Sequence, residues 1–61
     1  MNREKQQAQE KARALHKEFG TRKSALGVVE HIIKALDQSK AIDEIRDFYI
    51  RVRRVIGMQD Y

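Results

Sequence analysis

The chain has 61 residues, a formal net charge of +4, and no Cys, Pro or Trp. That length admits one domain, and a single core of this size rarely supplies more than about 3 to 5 kcal/mol of net stability, so self-association or a partner would help the fold. Without Cys there is no disulfide framework and no thiolate metal site. The longest strictly apolar run is three residues, against the roughly 20 that span a bilayer. No signal-peptide core is recognisable either, and a cytoplasmic protein is expected.

Apolar positions fall into three blocks at helical spacing, and none alternates as a half-buried strand does, so the expected fold class is all-α. In the first block, Ala8, Ala12, Leu15 and Phe19 lay one narrow face on a helix over about residues 3–19. The rest of that segment is Lys, Arg, Gln and Glu, all good helix formers. Its buried face is mostly methyl groups, which makes it the weakest packer of the three. Asn2 is the expected N-cap, and residues 1–7, with almost nothing apolar to dock, are expected to fray. Gly20 then supplies a left-handed stop, and Thr21 or Ser24 can cap the second helix.

The second block, Ala25, Leu26, Val29, Ile32, Ile33 and Leu36, is a wider stripe on a helix over about residues 22–38. Its width predicts a central place in the core. Gly27 projects to the opposite side, where it costs roughly 1 kcal/mol relative to Ala. A tolerated surface glycine is the expected reading, the alternative being a close approach by a neighbouring backbone or partner.

The third block carries the clearest pattern. Ile42, Ile45, Tyr49, Val52 and Ile56 repeat in an unbroken three-four alternation, widened by Phe48 and Val55, on a helix over about residues 40–56. Ser39 is the expected N-cap, with Asp43 and Glu44 at the positive end of the helix dipole. Arg51, Arg53 and Arg54 lie toward the negative end, and Asp47 is placed to pair with Arg51 at i,i+4. Gly57 is expected to end the helix and leave residues 58–61 as a frayed tail. Two short connections join the three helices, which predicts a compact three-helix arrangement in a single domain over residues 1–61.

Residues that carry chemistry are few. His16 and His31 lie on different helices, with no Cys and no second His at i,i+4, so no metal site is expected. Of the hydroxyls, Thr21, Ser24 and Ser39 are best used as caps, Tyr49 lies on the core stripe and Tyr61 ends the sequence. The carboxylates are spread along solvated faces beside Lys and Arg, and no Gly-rich phosphate loop exists. Neither an activated nucleophile nor an acid/base pair is suggested, so the chain reads as a non-enzyme without a cofactor.

Two binding readings remain. Thirteen Lys and Arg against nine acids could build a basic stripe for nucleic acid, with Arg22 and Lys23 at the first turn and Arg46, Arg53 and Arg54 on the third helix. Against it, the exposed side of the second helix offers Glu30, His31, Lys34, Asp37 and Gln38, a poor face for reading a groove. Basic residues mixed with acids, on faces without Trp, also argue against a membrane surface. The other reading starts from Ile50, which projects nearly opposite the third stripe with Arg46, Asp47, Arg53 and Arg54 around it at i±3 and i±4. A large aliphatic rimmed by Arg is what a small partner-binding anchor looks like. A single exposed apolar side chain is also ordinary on any protein surface.

Three segments are alike in kind to a known group. Glu10-Lys11-Ala12-Arg13-Ala14-Leu15 through Phe19, Ala25 through Lys34, and Tyr49 through Ile56 together resemble small helical proteins encoded by phages and prophage-like elements. The resemblance spans about three quarters of the sequence. Those proteins tend to carry Trp after the Tyr, where this chain has Ile50. What the resemblance implies is a small accessory protein of phage type, and it transfers no catalytic or binding residue.

Taken together, the sequence predicts a small non-enzymatic helical protein that acts by binding another protein or itself, as a homodimer. A weak, largely phosphate-directed nucleic-acid binder is the alternative. If the first helix failed to dock, Leu36, Ile45 and Val52 would be left half exposed.

Overall fold

The computed structural model describes residues 3–40 and 42–61. It contains three helices, α1 (Arg3–Phe19), α2 (Arg22–Gln38) and α3 (Asp43–Met58), and no strand among the described residues. The all-α three-helix arrangement is as the spacing of the apolar residues requires. The expected cap Asn2 lies outside the described residues.

The α1–α2 corner forms as the local sequence dictates. Gly20 sits at φ +85°, a conformation that suits a residue without Cβ, and its N–H donates to the His16 carbonyl at 2.8 Å. Thr21 is extended, and its Oγ1 accepts from the Ser24 backbone N–H at 3.1 Å, so Thr21 is the N-cap of α2.

At α3 both expected ends move. Ser39 does not cap α3. It ends α2 instead, its N–H donating to the Ala35 carbonyl at 3.0 Å and its hydroxyl to the Leu36 carbonyl at 3.2 Å. Lys40 comes next at φ 56°, so the chain must turn before a new helix can start. Ile42 occupies the N-cap position with no side-chain hydrogen bond, and α3 begins at Asp43. The acids Asp43 and Glu44 then lie in the first turn, where the helix dipole favours them.

Gly57 does not stop α3 either. The helix runs through it to Met58, and the left-handed residue is Gln59, at φ 55°. Two bonds close this end, Gln59 N–H to the Ile56 carbonyl at 3.1 Å and Asp60 N–H to the Val55 carbonyl at 3.0 Å, which is the Schellman pattern. The residues beyond fold back along α1. Gln9 Nε2 donates to the Asp60 carbonyl at 2.9 Å, and Lys5 Nζ lies 3.5 Å from Asp60 Oδ2. The Tyr61 ring packs on the core and meets His16 edge-on, with centroids 5.6 Å apart, and its hydroxyl is hydrogen-bonded to His16 Nδ1. A segment expected to be a frayed tail is therefore a strap.

The core consists of Ala8, Ala12 and Leu15 from α1, Ala25 and Val29 from α2, and Val52, Val55 and Ile56 from α3. Ile56, Val29 and Val52 are its largest fully buried side chains. α1 does dock, and it covers Val52, but Leu36 stays half exposed and Ile45 is exposed. Burial ends abruptly: no described residue from Glu30 to Arg51 is buried. On the α2–α3 hairpin, buried residues are confined to the first half of α2 and the last half of α3, and toward the other end α1 stands off α3 across a cleft, with Glu4 and Gln7 on one side and Glu44, Asp47 and Phe48 on the other. The radius of gyration is 11.1 Å, near the roughly 10.5 Å of a compact chain of this length, while the extents are 29 × 28 × 16 Å, a flattened body.

Candidate interaction surface

The open end of the hairpin is where sequence pattern and burial part company. At about 100° per residue, Leu36 projects between Ala25 and Val29, both fully buried, and Ile45 projects between Val52 and Ile56, also fully buried. Their positions around the helix are core positions, and only their positions along it leave them uncovered. Ile32, Ile33 and Leu36 on α2 and Phe48 and Tyr49 on α3 are half-buried, with Phe48 and Tyr49 meeting edge-on at 5.4 Å. Ile42 and Ile45 are 67% and 45% exposed. Together these side chains line one apolar seam along the free half of the hairpin.

Beside the seam, Arg46 Nε lies 2.9 Å from Asp37 Oδ1 across the two helices. The pair is a contact of opposite charges without an aligned hydrogen bond, since the buried Nε–H finds no acceptor along its axis. Its surroundings are mixed in sign. Lys34, Lys40 and Arg46 stand among Asp37, Asp43, Glu44 and Asp47, so this end is nearly neutral in a chain of net charge +4.

The residues singled out in the sequence are distributed differently from the expected anchor. Ile50 does lie away from the core line, but it is half-buried and shows less of itself than Ile42 or Ile45. Arg46 is half-buried and engaged with Asp37, whereas Arg53 and Arg54 are exposed on the last turns of α3. Arg22 is brought to the same end by its Nη1, 3.4 Å from the Gly57 carbonyl, and Lys23 beside it is exposed. The structure thus brings Arg22 to the C-terminal turn of α3, one turn from the exposed Arg53, while Arg54 lines a cleft with Lys5, Met58 and Asp60, and Arg46 lies two turns away.

Other features have structural explanations. Arg51 reaches across to Glu4 Oε2 at 2.6 Å instead of pairing with Asp47. The pair crosses an open cleft of about 440 Å³ lined by Glu4, Gln7, Glu44, Asp47, Phe48 and Arg51, which holds carboxylates and one guanidinium but no hydroxyl or imidazole. His31 is exposed. Among the described residues no group of three His, Asp or Glu could hold a metal ion, and no helix is long and apolar enough to cross a membrane.

Sequence reasoning missed the exposed half-hairpin and the His16–Tyr61 contact. The second had no signal, since the two residues are 45 positions apart. The first left a faint one: apolar residues over 32–49 outnumber what the short methyl-rich face of α1 can cover. Compared with known proteins, the chain matches no family model, no curated protein and no solved structure.

Proposed function

We propose that this chain is a non-enzymatic protein-interaction module, an accessory protein of the phage type it resembles, that acts in the cytoplasm through helix-surface contacts at the open end of the α2–α3 hairpin. The observation that carries this reading is the pair Leu36 and Ile45, which occupy core positions around their helices and yet remain half-buried and exposed respectively. Apolar side chains in that state are stabilised by a partner's apolar surface at roughly 25 cal/mol per Å² removed from water. The hydroxyls offer no competing chemistry: Thr21 and Ser24 form the α2 cap, Ser39 closes α2, and Tyr61 is bonded to His16.

Cross-linking of the wild type and of Ile45→Glu in cell extract tests this. The wild type is expected to give discrete cross-linked species that the variant loses while keeping its helical circular dichroism. An identical pattern from both would sink the reading.

A second reading is supported by Arg22, which reaches the Gly57 carbonyl beside the exposed Arg53 and Arg54 and makes a small basic cluster with Lys23. Such a cluster suits phosphate. Its signature is salt-sensitive, sequence-independent binding of DNA or RNA, with Arg53→Gln lowering the salt slope by about 1. If fluorescence anisotropy at low salt detects no binding to duplex or single strands, this reading is lost.

A further inference from the structure

We infer that the occupant of the open hairpin end is a second copy of this chain, set head-on about a twofold axis so that the two α2–α3 seams cover each other. This rests on the interaction reading above and narrows it to one partner.

Surface area is the first argument. A folded monomer of 7.2 kDa exposes about 4,100 Å² by the general size scaling, whereas this chain exposes 4753 Å². The excess, roughly 600 Å², is about three quarters of the ~800 Å² that each partner contributes to a standard stable interface.

Charge is the second argument. An isologous interface brings each charge close to its own copy, so a strongly basic or acidic patch repels itself. The open end has Lys34, Lys40 and Arg46 against Asp37, Asp43, Glu44 and Asp47, and it can face itself without that penalty. The excess positive charge of the chain lies elsewhere, including Arg22, Lys23, Arg53 and Arg54 at the opposite end of the hairpin. A nucleic acid or an acidic protein would be drawn there, away from the seam.

The geometry is also self-complementary in kind. Each protomer offers two antiparallel helices with Ile33 and Leu36 on one and Ile45 and Tyr49 on the other, and two such hairpins close into four helices around one apolar centre. That centre would add large side chains to a monomer core in which three of the eight buried residues are Ala.

Sedimentation equilibrium of the full chain from micromolar to millimolar concentration, at low and high salt, is the test. The expected result is a dimer that persists at high salt. Because a twofold interface contains each substitution twice, Ile45→Glu is expected to weaken it roughly 100-fold or more. Ile42→Glu, at a position before α3 and 67% exposed, should do the same without burdening the fold. Phe19→Glu and Met58→Glu, at exposed apolar sites away from the seam, should leave association unchanged.

A monomer at every concentration overturns the second copy. In that event, amide shifts of Leu36, Ile42 and Ile45 on adding an amphipathic helical peptide would preserve the broader interaction reading, and their absence would remove both. A dimer insensitive to Ile42→Glu and Ile45→Glu, or one broken by Phe19→Glu, overturns the assigned surface.

Discussion

Two glycines and one isoleucine show how far single residues matter in a chain this small. Gly20 holds φ +85°, so Gly20→Ala forces a side chain into the left-handed region and is expected to cost about 1 to 2 kcal/mol. Gly27 is helical, and a Cβ built on it meets nothing within 4 Å. Its expected role as a surface glycine agrees with that open space, and no backbone approaches it. Gly27→Ala should therefore stabilise by about 0.5 to 1 kcal/mol, measured by urea unfolding. A loss of stability there would mean that something docks on that face. Ile56 is fully buried, and Ile56→Ala is expected to cost about 2 to 4 kcal/mol, most of what so small a core supplies. The variant should show little residual helix by circular dichroism at room temperature.

At the level of elements, a capping residue is legible in the sequence where the cap is the only use for its side chain, and ambiguous where two uses compete. Thr21 and Ser24 both stand at the start of one helix and no other, and the structure gives the cap to Thr21, whose hydroxyl accepts from the Ser24 N–H and donates to the Ser24 hydroxyl, so Thr21→Ala should cost about 1 kcal/mol. Ser39 stands between two helices and could serve either. It serves α2, because Lys40 adopts a left-handed turn that separates Ser39 from the start of α3. Gly57 misleads for a related reason: the left-handed residue that ends α3 is two positions on, at Gln59, where folding back onto α1 gives Asp60 and Tyr61 partners. Glu4 and Arg51 illustrate the opposite limit. Their side chains are 73% and 44% exposed, so Glu4→Gln should change stability by less than about 1 kcal/mol despite the short contact.

For the whole molecule, the standing-off of α1 from the first turns of α3 divides the hairpin into a packed half and an open half. Hydrogen exchange on dilute protein is expected to reflect that division, with the strongest protection over residues 52–56 and 25–29 and faster exchange over residues 32–47. Uniform protection along α2 and α3 would mean that the hairpin holds together without cover. The same division bears on why Ile50 stands out in the sequence and ranks below Ile42 and Ile45 in the fold. A helical projection ranks residues by angle, and Ile50 is the outlier by angle. Exposure also depends on how far along the helix a neighbour extends, and by that measure Ile45 is the outlier.

Helix content, the α1 and α2 boundaries, the Gly20 stop and most core side chains at the packed end could be read from residue order alone, the exception being Phe19, which lies on the expected face of α1 but is 42% exposed. All depend on spacing within about four residues, and hydrogen-bond geometry turns that spacing directly into structure. Three things needed the tertiary structure: which part of the apolar stripes is covered, where α3 starts and stops, and that residues 59–61 return to α1. Each depends on the placement of one helix along another. The rows of similar side chains that helices offer each other permit several such placements, and the choice among them rests on packing energies summed over the whole chain.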